Sequence, residues 1–436
     1  MNNNIMATSE EMELLESLAS YAPMYVVRHL HRRPDMAKTP WEQSFSAAVL
    51  YVDMAGVSAL VKSRSAQATA PAASLSNALN AYFGQLVDFV KVQGGDVIKC
   101  SASGVLAIWP AIEKDGRSEK SLATMTRRAA QCGLTLRRML HDYAVTDALS
   151  LSLRVGVDVG EARIAGVGGA LGRWEILTIG APVGNARALA RQSAAGAIRL
   201  SARAHALIAN QCIGERLPQG DCRLEDVRYP LPPVESSPPP LALEMEKALR
   251  SYIPGAVLNH FKKNPAGWPA EIRPLTVLSI HLPTLAADAP LDQIQAAMRA
   301  TQMALYRHAG SVNALRAADA GVILTAAMGL PPLSHSDDPE RGIQAALKVH
   351  EALAEQNLAC AIGVATGEAF CGSLGSERRR EYMMIGHVMT RAAALRRAAR
   401  DAPAVVLCDT ITYEAARHII AKADASRISV GQGPAA

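Results

Sequence analysis

Apolar and polar positions along the chain set out one succession of elements twice. An apolar run leads each half, Ala47–Asp53 and then Leu275–Leu282, each the length of one buried strand. In the first half Leu75, Leu79, Phe83, Leu86 and Val90 follow at helical spacing, which predicts an amphipathic helix. Next comes "GGDVIKCSASGVLAIWP" (94–110). Gly94-Gly95 opens a strand over Asp96–Cys100, Ser101-Ala102-Ser103-Gly104 form a small tip, and Val105–Trp109 returns as the second arm of a hairpin. A second helix is predicted over about 121–142 and about 339–354. The latter is entered through Asp338-Pro339, an N-cap followed by a proline in the first turn. A strand pair ending in "TIG" (178–180) or "MIG" (384–386) closes each half. The order is β-α-β-β-α-β, an α+β fold with an antiparallel-rich sheet and helices on one face.

The repetition reaches single residues. "GVDVGEA" begins at Gly156 and "GVATGEA" at Gly363, and a glycine-containing turn follows each. Then come "GRWEILTIG" (172–180) or "RREYMMIG" (379–386) and an Ala/Arg-rich helix. Upstream, "FSAAVLYVDMAG" (45–56) answers "RPLTVLSIHLP" (273–283). Between the halves, 223–257 carries a proline cluster that can continue neither a helix nor a central strand. It reads as a stiff linker whose end is helical again and packs on the second half. Thr8-x-x-Glu11 is a capping box that starts a surface helix. The expected units are an N-terminal helical segment (1–44), a first domain (45–205), a linker with a helix (206–272), a second domain (273–422) and a frayed tail (423–436).

Composition agrees with two packed domains. With 49% hydrophobic and 19% charged residues in 436, large cores can be buried and wholesale disorder is excluded. The net charge of +5 is mild for this length. Its arginines fall on helix patterns such as "TRRAAQCGLTLRRML" (126–140), which read as solvated faces. With no zinc spacing, RNP-like aromatic pattern or basic tail, nucleic acid is not an expected partner. Seven scattered cysteines without a C-x-x-C suit a reducing cytoplasm better than a disulfide framework. The polar, acidic start is not a signal peptide, and no apolar run is long enough to span a bilayer. The expected location is cytoplasmic, away from the membrane.

In their order and spacing, "LYVDMAG" (50–56), "GGDVIK" (94–99), "VLAIWP" (105–110), "GVGGALGRWEILTIGAPV" (166–183), "LRSYIPGAVLNHF" (249–261), "GEAFCGSLG" (367–375) and "REYMMIG" (380–386) resemble the class III nucleotidyl cyclases. The match is to the tandem catalytic region of soluble, bicarbonate-responsive adenylyl cyclases, over roughly residues 15–420. The resemblance implies two ferredoxin-like domains embracing head to tail as an intramolecular pseudo-dimer, with ATP in the groove between them. It implies attack of the ribose 3′-oxygen on the α-phosphorus, pyrophosphate leaving, and two divalent cations, Mg or Mn. Asp53 matches the first metal aspartate, the reading preferred here because carboxylates serve hard cations; the alternative is a strand-end aspartate satisfying backbone amides. The second metal position falls at Ser103, and a neutral serine is a poor ligand for a hard cation. The adenine lysine position falls at Ala314 and the adenine Thr/Asp position at Met383. The ribose asparagine position falls at Thr390 and the transition-state arginine at Ala394, with Arg391 a partial stand-in if the alignment slips one place.

These losses favour a catalytically degenerate cyclase that requires no cofactor and senses a ligand or partner. Lys99 and Arg187 match the lysine and arginine that hold bicarbonate in soluble-type enzymes, so a small anion or nucleotide is expected there unless an acid such as Asp319 fills the place. Arg378-Arg379-Arg380 is a candidate surface for a protein partner, or a solvated loop. Two other readings stay open: an active adenylate cyclase making cAMP and pyrophosphate with Mg or Mn, and a scaffold with an empty groove.

Overall fold

The computed structural model of the chain describes residues 8–33, 38–65, 72–111, 118–146, 149–234, 238–261, 270–318, 320–402, 405–420 and 428–431. Two helices lead, α1 (Ser9–Ser20) and α2 (Met24–Arg32). The first domain runs β1 (Trp41–Ala55), α3 (Val57–Ser65), α4 (Ala72–Val92), β2 (Asp96–Ser101), β3 (Gly104–Pro110), α5 (Ser118–Leu140), β4 (Tyr143–Thr146), β5 (Leu149–Ala170), β6 (Arg173–Ile179), α6 (Ala181–Gln192), β7 (Ile198–Leu200), α7 (Ala202–Ile208), β8 (Cys212–Arg216) and β9 (Cys222–Val227). Helices α8 (Glu246–Ser251) and α9 (Gly255–Phe261) lie between the domains in sequence. The second domain runs β10 (Glu271–Leu282), α10 (Leu291–Arg307), β11 (Ser311–Ala317), β12 (Val322–Met328), α11 (Asp338–Ala354), β13 (Ala361–Ser376), β14 (Arg379–Ile385), α12 (His387–Ala399), β15 (Val406–Cys408), α13 (Thr410–Ala415), α14 (Arg417–Ile420) and β16 (Ile428–Val430).

The two sheets repeat one plan. The first has the order β2-β3-β1-β5-β7-β9-β8, the second β11-β12-β10-β13-β15-β16, and β6 and β14 pair with β5 and β13 as matching arms. The expected β-α-β-β-α-β order and hairpin are both present; β2 starts at Asp96 as expected and runs one residue further, to Ser101, and β3 is one residue longer at each end. The first sheet also runs past the expected boundary, because β8 and β9 extend it to Val227.

Strand β1 shows why an unbroken apolar run was needed. Ala48, Leu50, Val52 and Met54 point into a core that is mainly the first domain's own, with α4 and α5, and that Phe370, Leu374, Met383 and Ile385 of the second domain join. Ala47, Val49 and Tyr51 point the other way, into a core shared with the second domain and the N-terminal helices. Side chains alternate along a strand, so burial on both faces requires apolar residues at every position.

The domains grip each other through their arms. The backbone of Gly168, on the β5 arm, exchanges hydrogen bonds with the Gln295 amide of α10 at 2.7 and 2.8 Å. Gln302 accepts from Ala170 at 3.1 Å and donates to the Arg173 carbonyl at 3.0 Å. In the reciprocal contact, the Gly375 amide donates to Asn80 of α4 at 3.1 Å.

The N-terminal helices brace this pair. Thr8 and Glu11 form the expected capping box. Asp96, the first residue of β2, accepts from the Met24 and Tyr25 amides at 3.0 and 2.6 Å and so caps α2 from another element. The linker lies along the first domain, with the Val234 amide donating to Val92 and Gln131 bonding Leu231 in both directions. Helix α8 packs on α1 and α2, and its Ala248 and Leu249 belong to the core shared with the second domain. No described helix is long and apolar enough to cross a membrane.

Candidate functional site

A cavity of about 390 Å³ opens between the domains. Its first-domain wall is the hairpin tip, the start of α3 and the arginines of α6; its second-domain wall is β10, β11, β14 and α12.

The tip is held tightly. Asp53 faces Gly104 in the β1–β3 register, and the Met54 amide donates to the Ser103 carbonyl at 3.2 Å. A Cβ on Gly104 would lie 2.5 Å from the Val52 carbonyl oxygen and against the Tyr51 hydroxyl, so only glycine lets the strands close there. Ser101 donates to the Gly104 carbonyl at 3.0 Å, and its hydroxyl lies 3.3 Å from that of Ser103. Asp53 is buried, and its carboxylate is ion-paired with Arg154, the residue opposite it on β5. A divalent cation would therefore compete with a guanidinium for one carboxylate and find a serine in place of a second. No group of three His, Cys, Asp or Glu side chains suited to a metal occurs among the described residues.

The positions expected to have lost their catalytic groups mostly meet at this cavity. Ser103, Ala314, Met383 and Thr390 line it; Ala394 does not, and Ala393 takes its place on the wall. Arg391 cannot stand in for the missing arginine, because it pairs with Asp409 at 2.8 Å.

Lys99 and Arg187 both line the cavity but are not the bare pair that the sequence suggested. Lys99 donates to Glu381 at 2.7 Å and to the Asn313 carbonyl at 3.2 Å, both across the interface. Burial alone would push the Glu381 carboxyl up, but Lys99 and Arg379 together hold it below the ordinary glutamate value. Arg187 is 3% exposed, lies 5.1 Å from the Tyr51 ring centre and donates to the Ala317 carbonyl. Arg316, on the other domain, donates to the same carbonyl at 3.5 Å. Burial first, and then the Arg187 charge, push the Arg316 guanidinium down to about 10. Asp319 lies outside the described residues.

The three-arginine run divides by strand alternation. Arg378 is exposed and Arg380 half-buried, but Arg379 is 2% exposed. Its guanidinium donates to the Val97, Ile98 and Tyr21 carbonyls and pairs with Glu381 at 2.6 Å. Arg379 is thus an internal clasp between the domains, a correction to its expected place on a partner surface.

The sequence reading missed Arg154, Arg191, Arg316, Glu381 and Arg397. One signal for Glu381 was available: Arg-x-Glu occurs in both halves, as Arg173-Trp174-Glu175 and Arg379-Arg380-Glu381. The described cavity wall carries Lys99, Arg187, Arg191, Arg316 and Arg397 and no aspartate or glutamate. Such a wall can hold an anion; it has nothing with which to hold a cation.

Comparison with known proteins agrees with the fold. No family model matches the sequence. The chain is 24% identical over 417 residues to adenylate cyclase type 10 of Rattus norvegicus, covering 86% of this chain and 25% of that protein. Against the Homo sapiens protein of the same name it is 23% identical over 436 residues, 91% of this chain and 26% of that one. The chain thus spans about a quarter of the length of these curated relatives. Among solved structures, a class III adenylyl cyclase-like ATP-binding protein from Pseudomonas aeruginosa superposes with a TM-score of 0.57 at 14% identity, covering 86% of this chain and 85% of that one. The fold is that of the class III cyclases, and the relatives over most of the chain are soluble-type adenylyl cyclases.

Proposed function

We propose that this chain is a catalytically silent cyclase-fold module that binds a small anion between its two domains and passes the occupancy on as a signal. The observation that carries the reading is the cavity wall, where five cationic side chains meet and only Lys99 has a carboxylate partner, Glu381, among the described residues. Two-metal cyclisation needs anionic ligands to hold the cations and polar groups to read the base. Ser103, Ala314 and Met383 supply neither, and Asp53 is engaged by Arg154. The residues present do not fit Mg or Mn. The Pseudomonas aeruginosa protein is described as cyclase-like and ATP-binding, which supports a cyclase fold used for binding. Arg378 remains a candidate contact for a protein partner, the one residue of the run that is exposed.

The test is a cyclase assay with Mn²⁺ and ATP beside thermal melting with added anions. The expected result is cAMP at the level of a denatured control and a melting temperature raised by an anion beyond equal chloride. Turnover that disappears in Asp53→Ala would overturn the reading. Similarity to proteins named adenylate cyclase favours that second reading, an active enzyme, and the same assay decides between them. Neither turnover nor an anion effect would favour the scaffold.

A further inference from the structure

The proline-rich stretch after the first domain is a motif that the cavity between the domains does not use. In "RYPLPPV" (228–234), Pro230, Pro232 and Pro233 each fix their own φ at about −65°, and they hold the residues before them, Tyr229, Leu231 and Pro232, out of the helical region. A run so constrained favours the polyproline II helix, with three residues per turn and no internal hydrogen bonds. Exposure along the segment follows that period. Leu231 and Val234, three apart, are half-buried, whereas Tyr229, Pro230, Pro232 and Pro233 are exposed.

The inner edge is bolted to the first domain. The Leu231 amide donates to the Gln131 side chain of α5 and the Leu231 carbonyl accepts from it, both at 2.9 Å. Arg128 donates to the Pro232 carbonyl at 3.0 Å, and the Val234 amide donates to the Val92 carbonyl at 2.9 Å. Val234 packs on Gly94, where a Cβ would lie 3.4 Å away. A spacer that only spanned a distance would need none of these anchors. It would gain nothing from turning Tyr229, 66% exposed, toward water.

The outer face presents two X-Pro pairs, Tyr229-Pro230 and Pro232-Pro233, on either side of the anchored Leu231. They repeat after one turn, about 9 Å at 3.1 Å per residue. Proline rings and a tyrosine ring at that spacing fit a groove lined with aromatic side chains. Because the segment is anchored beforehand, little ordering entropy is lost on docking. Arg228 is exposed at one end of the ridge, and Asp226, two residues earlier, lies 3.9 Å from Arg138. With Arg128 beneath the ridge as well, a fitting groove carries acid on its rim.

We propose that residues 228–233 form a docking ridge for a partner protein whose groove has two aromatic-lined slots and an acidic rim. None of these residues lines the cavity between the domains, so the ridge acts whether or not that cavity binds an anion.

The test is calorimetric titration of the full chain with a panel of purified SH3 domains, whose grooves have this chemistry, and with WW domains for comparison. The expected result is saturable binding of at least one SH3 domain, tighter than its binding to a free peptide of residues 226–236. The double variant P230A/P233A should weaken it roughly tenfold or more, and Tyr229→Ala should do the same. Arg228→Gln should weaken it by roughly two- to fivefold and flatten its dependence on salt. Thermal melting separates lost docking from lost fold. If P230A/P233A melts early, Y229A carries the test, since its side chain faces water. Failure of the whole panel to bind would overturn the proposal, as would binding of the peptide but not of the chain. Equal binding by wild type, P230A/P233A and Y229A would overturn it too. So would binding by WW domains alone, since the acid-rimmed, two-slot groove would then not be the one that fits.

Discussion

Glu175 and Glu381 occupy the same place in the two Arg-x-Glu repeats, yet their surroundings push them in opposite directions. Glu175 is buried, and that burial raises its carboxyl above the ordinary value despite Arg173 3.2 Å away and Lys99 further off. Its Oε1 makes no hydrogen bond. At Glu381 the pull of Lys99 and Arg379 outweighs burial and lowers the value. A lowered value means that the ionised carboxylate stabilises the fold. That contribution is complete above the unfolded value near 4.5 and is lost as pH falls through the folded one. A raised value means the reverse, so the fold gains from Glu175 as pH falls through its folded value. Glu381→Gln, which leaves Lys99 and Arg379 without their carboxylate, should cost about 3 kcal/mol at pH 7. Glu175→Gln should be neutral or stabilising, because Arg173 still donates to the Trp174 and Ser251 carbonyls. Urea unfolding midpoints at pH 7 measure both, and equal losses would contradict the assignment. At this scale the sequence was only partly legible. Lys99 and Arg187 line the groove, but their neighbours Glu381 and Arg316 lie on the other domain. Which charges meet across an interface depends on how the domains dock, and spacing along one chain does not carry that.

Among the elements, the repeated glycine of "GVDVGEA" and "GVATGEA" shows how a visible motif can hide its reason. Neither Gly156 nor Gly363 needs an unusual backbone; each is a point where a helix crosses a strand too closely for a side chain. A Cβ on Gly156 would lie 2.7 Å from the Ala190 amide nitrogen and against the Ala186 carbonyl, both backbone atoms of α6. On Gly363 it would lie 2.9 Å from the Leu395 carbonyl carbon and against the Ala392 oxygen of α12. Backbone cannot rotate away, so the whole helix must move. Gly156→Ala and Gly363→Ala should each cost about 1–3 kcal/mol. Because α6 carries Arg187 and Arg191 and α12 carries Arg397, both variants should also weaken anion binding. Thermal melting with and without the added anion checks this. Unchanged melting would mean that the helices have room to spare. The strands, the hairpin and both helices of each half were legible because hydrophobic periodicity is a local signal. The burial of Arg379 was not, although strand alternation across Arg378, Arg379 and Arg380 carried a hint of it.

For the whole molecule, the decisive feature is that the faces of β1 belong to different cores. One core is mainly the first domain's own and the other is shared by both domains and helices α1, α2 and α8. Separating the halves would expose Ala47, Val49 and Tyr51 together with Leu275, Val277 and Leu278, an apolar surface that a free domain could not leave in water. The arms add direct hydrogen bonds from Gln295, Gln302 and Asn80, and Arg379 clasps the Val97 and Ile98 carbonyls. None of these contacts passes through the proline-rich segment, which ties itself to the first domain through Leu231 and Val234. The linker therefore raises the effective concentration of the second domain without holding it in place. A protease site inserted at 235–237 and cut to completion should leave one particle that elutes with the uncut protein. It should stay together in 1 M salt, because the shared core is apolar and largely beyond the reach of screening. Two fragments that elute apart would show that the groove has no permanent walls. The arginines of α6 and of β11 would then meet only while the chain is intact, and ligand binding would have to assemble the site it occupies.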